Sequence, residues 1–104
     1  MKATKENILR YLSDIKSDLS QNGIARIGLF GSYARGEDTL YSDIDIAIQK
    51  EEGYLNRRSA YDYFDEIAKI KRLISAQFHR NSDVFDLDSA SSMKDSILKD
   101  IVYV

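Results

Sequence analysis

Ile24-Ala25-Arg26-Ile27-Gly28-Leu29-Phe30-Gly31-Ser32-Tyr33-Ala34-Arg35-Gly36, followed after a short polar gap by Ser42-Asp43-Ile44-Asp45-Ile46-Ala47-Ile48, decides how this chain folds. The apolar run from Ile24 to Phe30 predicts a strand, and Gly31-Ser32 puts its end at a turn into a helix start. At such a junction free backbone N–H groups and the positive end of the helix dipole favour a phosphate. Gly31 and Gly36 permit tight turns and close approach of backbone to ligand. Ser32 adds a hydroxyl donor, and Arg35 adds a charge-assisted donor suited to phosphate oxygens. Gly31, Ser32 and Arg35 are therefore the candidate nucleotide-binding residues of a triphosphate cradle.

The second stretch predicts a strand from Ile44 to Gln49, in which Ile44, Ile46 and Ile48 point into the core. Asp43 and Asp45 then share the other face. Neighbouring carboxylates repel unless a cation lies between them, and hard oxygen ligands paired with phosphate oxygens suit Mg²⁺. Each half of the pattern alone is ordinary, since Gly-Ser commonly marks a simple turn and Asp-x-Asp commonly a solvated strand end. Their conjunction points to chemistry. Competing motifs fail on inspection: a Walker A loop needs Lys-Ser or Lys-Thr after its second glycine, where this chain has Glu37-Asp38. Gly28-Leu29-Phe30-Gly31 lacks the glycine spacing of a dinucleotide fingerprint, and Ala47 stands where an EF-hand needs its third ligand.

Phe30-Gly31-Ser32 and Asp43-Ile44-Asp45 resemble the signature of the nucleotidyltransferase superfamily that includes DNA polymerase beta, most closely its minimal, single-domain branch. The resemblance runs from about Ile8 to Val104, with sharp motifs only between Leu29 and Ile48. It implies an α/β (α+β) fold, a small mixed sheet with helices packed mainly on one face. It also implies transfer of a nucleoside monophosphate, AMP from ATP, to a hydroxyl with two Mg²⁺ ions. A third carboxylate is expected on a later strand, and Asp83 in Ser82-Asp83-Val84-Phe85-Asp86-Leu87-Asp88 fits best, with Asp86 and Asp88 as neighbouring alternatives. On this likeness Asp43 and Asp45 bridge two metals, Asp83 completes the site of the metal that activates the acceptor, and all three are catalytic. Stand-alone proteins of this branch commonly pair with a helical HEPN-domain toxin, so the resemblance implies an antitoxin that modifies a tyrosine of that partner. Two other readings stand beside it: a binding antitoxin with an inactive site, and an antibiotic nucleotidyltransferase, for which an acceptor-binding domain is missing.

With 104 residues the chain is expected to form one domain, 1–104, too short for a separate substrate domain, so a partner protein or free ligand should supply the acceptor. Seventeen acidic and 15 basic residues give a net charge of −2, which creates no field to draw nucleic acid, and direct nucleic-acid binding is disfavoured. The absence of cysteine excludes disulfides and thiol chemistry. With neither a signal core nor a run long enough to cross a bilayer, the chain is expected to be cytoplasmic, with no membrane partner. Self-association is left open.

Elsewhere Ile8, Leu9, Leu12, Ile15 and Leu19 predict a first helix closed by Asn22-Gly23. Lys50 to Gly53 reads as a loop, and Ala60, Phe64, Ile67, Ile70, Ile74 and Phe78 predict one long helix from about Asn56 to Arg80, flanked by Tyr61 and Tyr63. Val84 and Phe85 mark a third strand, Ser92-Met93-Lys94-Asp95 has capping-box spacing for a last helix bearing Ile97 and Leu98, and Ile101 to Val104 can pair as a short edge strand. Tyr54, Tyr61 and Tyr63 read as core and helix surface, and His79, the only histidine, as a helix-end residue. Lys71-Arg72 and Arg57-Arg58 read as solvated helix face, although Arg57 or Arg58 would reach a phosphate or acceptor if their loop folded over the site.

Overall fold

Helix α1 (Lys5–Gln21) opens on Thr4, whose hydroxyl accepts from the Asn7 N–H, and buries Ile8, Leu12 and Leu19. It stops where Asn22-Gly23 predicts. Gly23 has a φ of +92°, and a side chain there would strike the Tyr54 ring 2.6 Å away, so both backbone and space demand glycine. Strand β1 (Ile24–Phe30) follows with the expected bounds. A bulge between Ile24 and Arg26 shifts its register against strand β2 (Ile44–Lys50). That extra residue is why Ile24 and Ile27, three apart, both enter the same core, which strict alternation would forbid.

Helix α2 (Gly31–Arg35) joins these two antiparallel strands. Beyond β2 come α3 (Tyr54–Arg57), α4 (Ala60–Phe78), β3 (Ser82–Asp86), α5 (Lys94–Asp100) and β4 (Val102–Tyr103). The sheet order is β3-β2-β1-β4, with β2 and β3 parallel and the other pairs antiparallel. The α4 crossover supplies the connection that a parallel pair needs. Ile27, Leu29, Ile44, Ile46 and Ile48 pack against α1 and α4 on one face. On the other, Phe30, Ala47, Leu87 and Ile97 make a smaller core with Phe85, Ile101 and Tyr103. This is the mixed sheet covered mainly on one face that the sequence implied. The computed structural model describes residues 1–89 and 92–104.

The element boundaries depart from expectation in three places. The long helix is two: the chain leaves α3 at Arg58 and restarts on Ser59, which forms a reciprocal capping box with Asp62. Rotation of the restarted helix buries Tyr63 and leaves Ala60 and Phe64 facing solvent. Lys50 belongs to β2 rather than to a loop, and α5 starts from Met93 with no side-chain cap, so the Ser92 box does not form. Ile101 to Val104 does provide an edge strand, Gly28 and Leu29 of β1 pairing with Tyr103 and Val102. Among the described residues no helix is long and apolar enough to cross a membrane.

Candidate active site

Asp45 and Asp83 stand side by side as register partners in the parallel pair β2/β3. Neighbouring strands lie about 4.8 Å apart, so the two carboxylates project from adjacent backbones on one face. That face is the one away from α1 and α4, because Asp45 alternates with fully buried Ile44 and Ile46. Asp43 leads into β2 from the preceding turn. Burial, then the charges of Asp83 and Asp43, push the Asp45 carboxyl above its ordinary value, with Arg35 pulling the other way. The three acids thus share one field, and none has an ion pair or side-chain hydrogen bond among the described residues.

Among those residues no three acidic, histidine or cysteine side chains enclose a metal ion unaided. Mg²⁺ does not need such a cage: it is usually held by one or two carboxylates together with water and substrate phosphate oxygens. An open, unneutralised pair of carboxylates with a third at the rim fits that ion. Gly31 completes the inner wall, since Phe30 pairs with Asp45 across the sheet and the chain turns directly beyond it. Its φ is +76°, and a Cβ there would collide with the Asp45 carboxylate, whose carboxyl carbon lies 3.0 Å away. The start of α2 therefore rests on Asp45 only because residue 31 has no side chain.

Ser32 follows at the half-buried start of α2. Arg35, at its end, donates to Glu37 at 3.1 Å and to Asp100 of α5 at 2.8 Å, so a phosphate would compete with two carboxylates for it. The Asp100 and Glu37 hydrogen bonds raise its already high pKa.

The other acids of the third strand have different surroundings. Asp86 pairs with Ile48 in the register and forms an ion pair with Lys50, beneath Tyr63. Burial pushes the Asp86 carboxyl up, but Lys50, the Asp88 N–H and the nearby Tyr63 hydroxyl outweigh it and hold it below its ordinary value. Asp88 accepts from Gln49 at 3.2 Å and lies 3.6 Å from Lys50. Of the three, only Asp83 stands without a cationic partner among the described residues. Arg57 pairs with Glu51 and Arg58 donates to the Gln21 carbonyl, which ties both to the far end of β2 from Asp43. His79 caps α4 in a left-handed conformation.

Sequence reasoning missed three features: the Lys50–Asp86 pair with Lys50 4.4 Å over the Tyr63 ring, the Arg35–Asp100 link, and a cleft that brings Tyr41, Asp43, His79 and Arg80 together. Each joins residues far apart in the chain, so no local pattern announces it.

The sequence profile described as Polymerase beta, Nucleotidyltransferase matches residues 13–104. This chain belongs to that nucleotidyltransferase family. It is 31% identical to the protein adenylyltransferase MntA of Thermococcus cleftensis, over 97% of this chain and 96% of that one. A candidate protein adenylyltransferase of Methanocaldococcus jannaschii is 32% identical, over 92% of this chain and all of its own. The fold matches a solved candidate minimal nucleotidyltransferase with a TM-score of 0.70 at 24% identity, covering 96% of this chain and 95% of that one. A crystal structure of a toxin–antitoxin with AMP-PNP matches with a TM-score of 0.59 at 26% identity, over 97% of this chain and 72% of the other. The enzyme class read from the Gly-Ser and Asp-x-Asp motifs is thus the class of the family.

Proposed function

We propose that this nucleotidyltransferase moves AMP from ATP to a tyrosine of a partner HEPN-type toxin and thereby acts as its antitoxin. The observation that carries the reading is the unneutralised pair Asp45 and Asp83, side by side on parallel strands, with Asp43 in the same field. The adenylyltransferase relatives and the toxin–antitoxin structure with AMP-PNP support the nucleotide and the partner.

On this reading Asp43, Asp45 and Asp83 would be the residues that hold the Mg²⁺ ions. The chemistry such ions would supply there is a lowered pKa of the acceptor hydroxyl and stabilisation of charge on the attacking and leaving oxygens. The Gly31 and Ser32 N–H groups and the Ser32 hydroxyl hold the β- and γ-phosphates, fixing the α-phosphorus in front of the carboxylates. Arg35 leaves Glu37 or Asp100 to add a charge-assisted bond. No covalent enzyme intermediate is needed.

The test is intact mass of the chain and its toxin partner after incubation with ATP and Mg²⁺. A gain of adenylyl groups on the toxin, lost with Asp43→Asn or Asp45→Asn, is the expected result. An unmodified toxin that is still fully neutralised by a variant lacking all three acids would overturn transfer in favour of neutralisation by binding.

A further inference from the structure

Seven tyrosines are present, and their exposures divide them sharply. Tyr33, Tyr54 and Tyr63 are buried, and Tyr11 and Tyr103 are half-buried. Only Tyr41, at 94% exposure, and Tyr61, at 82%, offer a free phenol. Tyr61 sits in the first turn of α4, whereas the candidate site lies beyond the other end of that helix. Seventeen residues of helix separate it from Phe78, roughly 25 Å at 1.5 Å per residue. Tyr41 lies two residues before Asp43 and lines the same open cleft, of about 380 Å³, with His79, Arg80 and Asn81.

The loop that carries Tyr41 is pinned. The Thr39 N–H donates to the Ser42 hydroxyl at 2.8 Å, the Tyr41 N–H to the Thr39 hydroxyl at 3.2 Å, and Arg80 to the Leu40 carbonyl. The backbone is held at the mouth of the site while the phenol projects into solvent. Such a group does not fill its own cleft. Because Tyr41 and Asp43 belong to one loop, a two-fold encounter of two copies centred on that loop would set each Tyr41 beside the other's Asp43, since in an isologous contact residue i meets j and j meets i.

We propose that Tyr41 is an acceptor for this protein's own nucleotidyl transfer, modified in trans by a second copy of the chain. The proposal rests on the reading above, that the site transfers AMP from ATP to protein tyrosines. The Tyr41 phenolic oxygen attacks the α-phosphorus of ATP, forming a phosphodiester to AMP. The bond from that phosphorus to the β-bridging oxygen breaks, pyrophosphate leaves with the electron pair, and the phenolic proton passes to water.

The experiment mixes unlabelled wild-type chain as enzyme with ¹⁵N-labelled Asp45→Asn chain as acceptor, in ATP and Mg²⁺, with a tyrosine-bearing peptide as competing acceptor. Peptide mapping and pyrophosphate release are followed together. The expected result is one adenylyl group on Tyr41 of the labelled chain and none on Tyr61. Its rate should double when the wild-type concentration doubles, and the adduct should disappear when the acceptor also carries Tyr41→Phe. Modification of the peptide but not of the labelled chain, or modification at Tyr61 instead, overturns the Tyr41 assignment and leaves the transfer reading intact. An adduct confined to the wild-type chain at a concentration-independent rate overturns the trans arrangement. Absence of adduct and of pyrophosphate release overturns this inference, and overturns the transfer reading as well if the same preparation also leaves the toxin partner unmodified.

Discussion

Asp45 is held at a cost. Its carboxyl is raised by burial, Asp83 and Asp43, so the folded state binds its proton more tightly than the unfolded chain does. Stability therefore falls as pH rises from its ordinary value of 3.8 through the higher folded value, and stays reduced above it. Asp45→Asn should melt roughly 2–5 °C higher than wild type at pH 7, an advantage that vanishes below about pH 4, while transfer is lost. Scanning calorimetry at both pH values checks the first half, and an Asp45→Asn chain less stable at pH 7 would contradict the shared field. Gly31 works in the opposite sense. Gly31→Ala should destabilise the fold by about 1–3 kcal/mol, since it strains a left-handed backbone and pushes on the Asp45 carboxylate, and should also suppress transfer. Denaturant titration beside an activity assay measures both. At this scale the sequence was legible for placement: residue types and two-residue spacing put Gly31 at the strand–helix turn and Asp45 on the sheet face away from the buried isoleucines. It was not legible for Arg35, whose partner Asp100 lies 65 positions away.

Strand β3 separates two kinds of acid by its register. Asp83 meets Asp45 and has no counter-charge among the described residues, whereas Asp86 meets Lys50 on the helical side of the sheet. Asp83→Asn should abolish transfer without destabilising the fold, since it removes a like charge beside Asp45. Asp86→Asn should cost about 1–3 kcal/mol and leave the transfer site standing, because it leaves a mostly buried ammonium with only its more distant carboxylate partner, Asp88. The pH sign is the reverse of that for Asp45. The stability that Asp86 contributes is complete above its ordinary pKa and is lost as pH falls through the lower folded value, so the deficit of Asp86→Asn narrows in acid. Urea midpoints at pH 7 and in acid, with adenylyl transfer, distinguish the two variants; equal loss of activity in both would mean the register does not sort them. At the end of α4, His79 holds a φ of +55°, a conformation that suits glycine. His79→Gly should stabilise the protein by about 0.5–1 kcal/mol, read from the same urea midpoints. Helical periodicity foretold α4 from Ile67 to Phe78 but not its start. An apolar stripe does not reveal a break when Ser59 and Asp62 can cap a new helix within it.

For the whole molecule, a ligand that binds only the folded state stabilises it by mass action. Mg²⁺ with a non-hydrolysable ATP analogue at a hundredfold over its dissociation constant should add about 2.7 kcal/mol to wild type. The gain should be absent from the variant in which Asp43, Asp45 and Asp83 are all asparagine, and thermal shift with and without Mg²⁺ checks it. An equal gain in that variant would separate nucleotide binding from the three acids. The sequence by itself determined what can be specified locally: the strand–turn–helix at Gly31-Ser32, the alternation that sends Ile44, Ile46 and Ile48 inward, and the glycine stop after α1. Those depend on periods of 2 and 3.6 and on the backbone freedom of glycine, which neighbours in the chain control. Only the tertiary structure decided which downstream acid stands beside Asp45 and which is neutralised by Lys50. It also decided that Arg35 is held by Asp100 and that Tyr41 stands free at the cleft. Those outcomes depend on strand register and on charges brought together from distant positions, and a one-residue change of register would exchange the two faces of β3 and with them the roles of its acids.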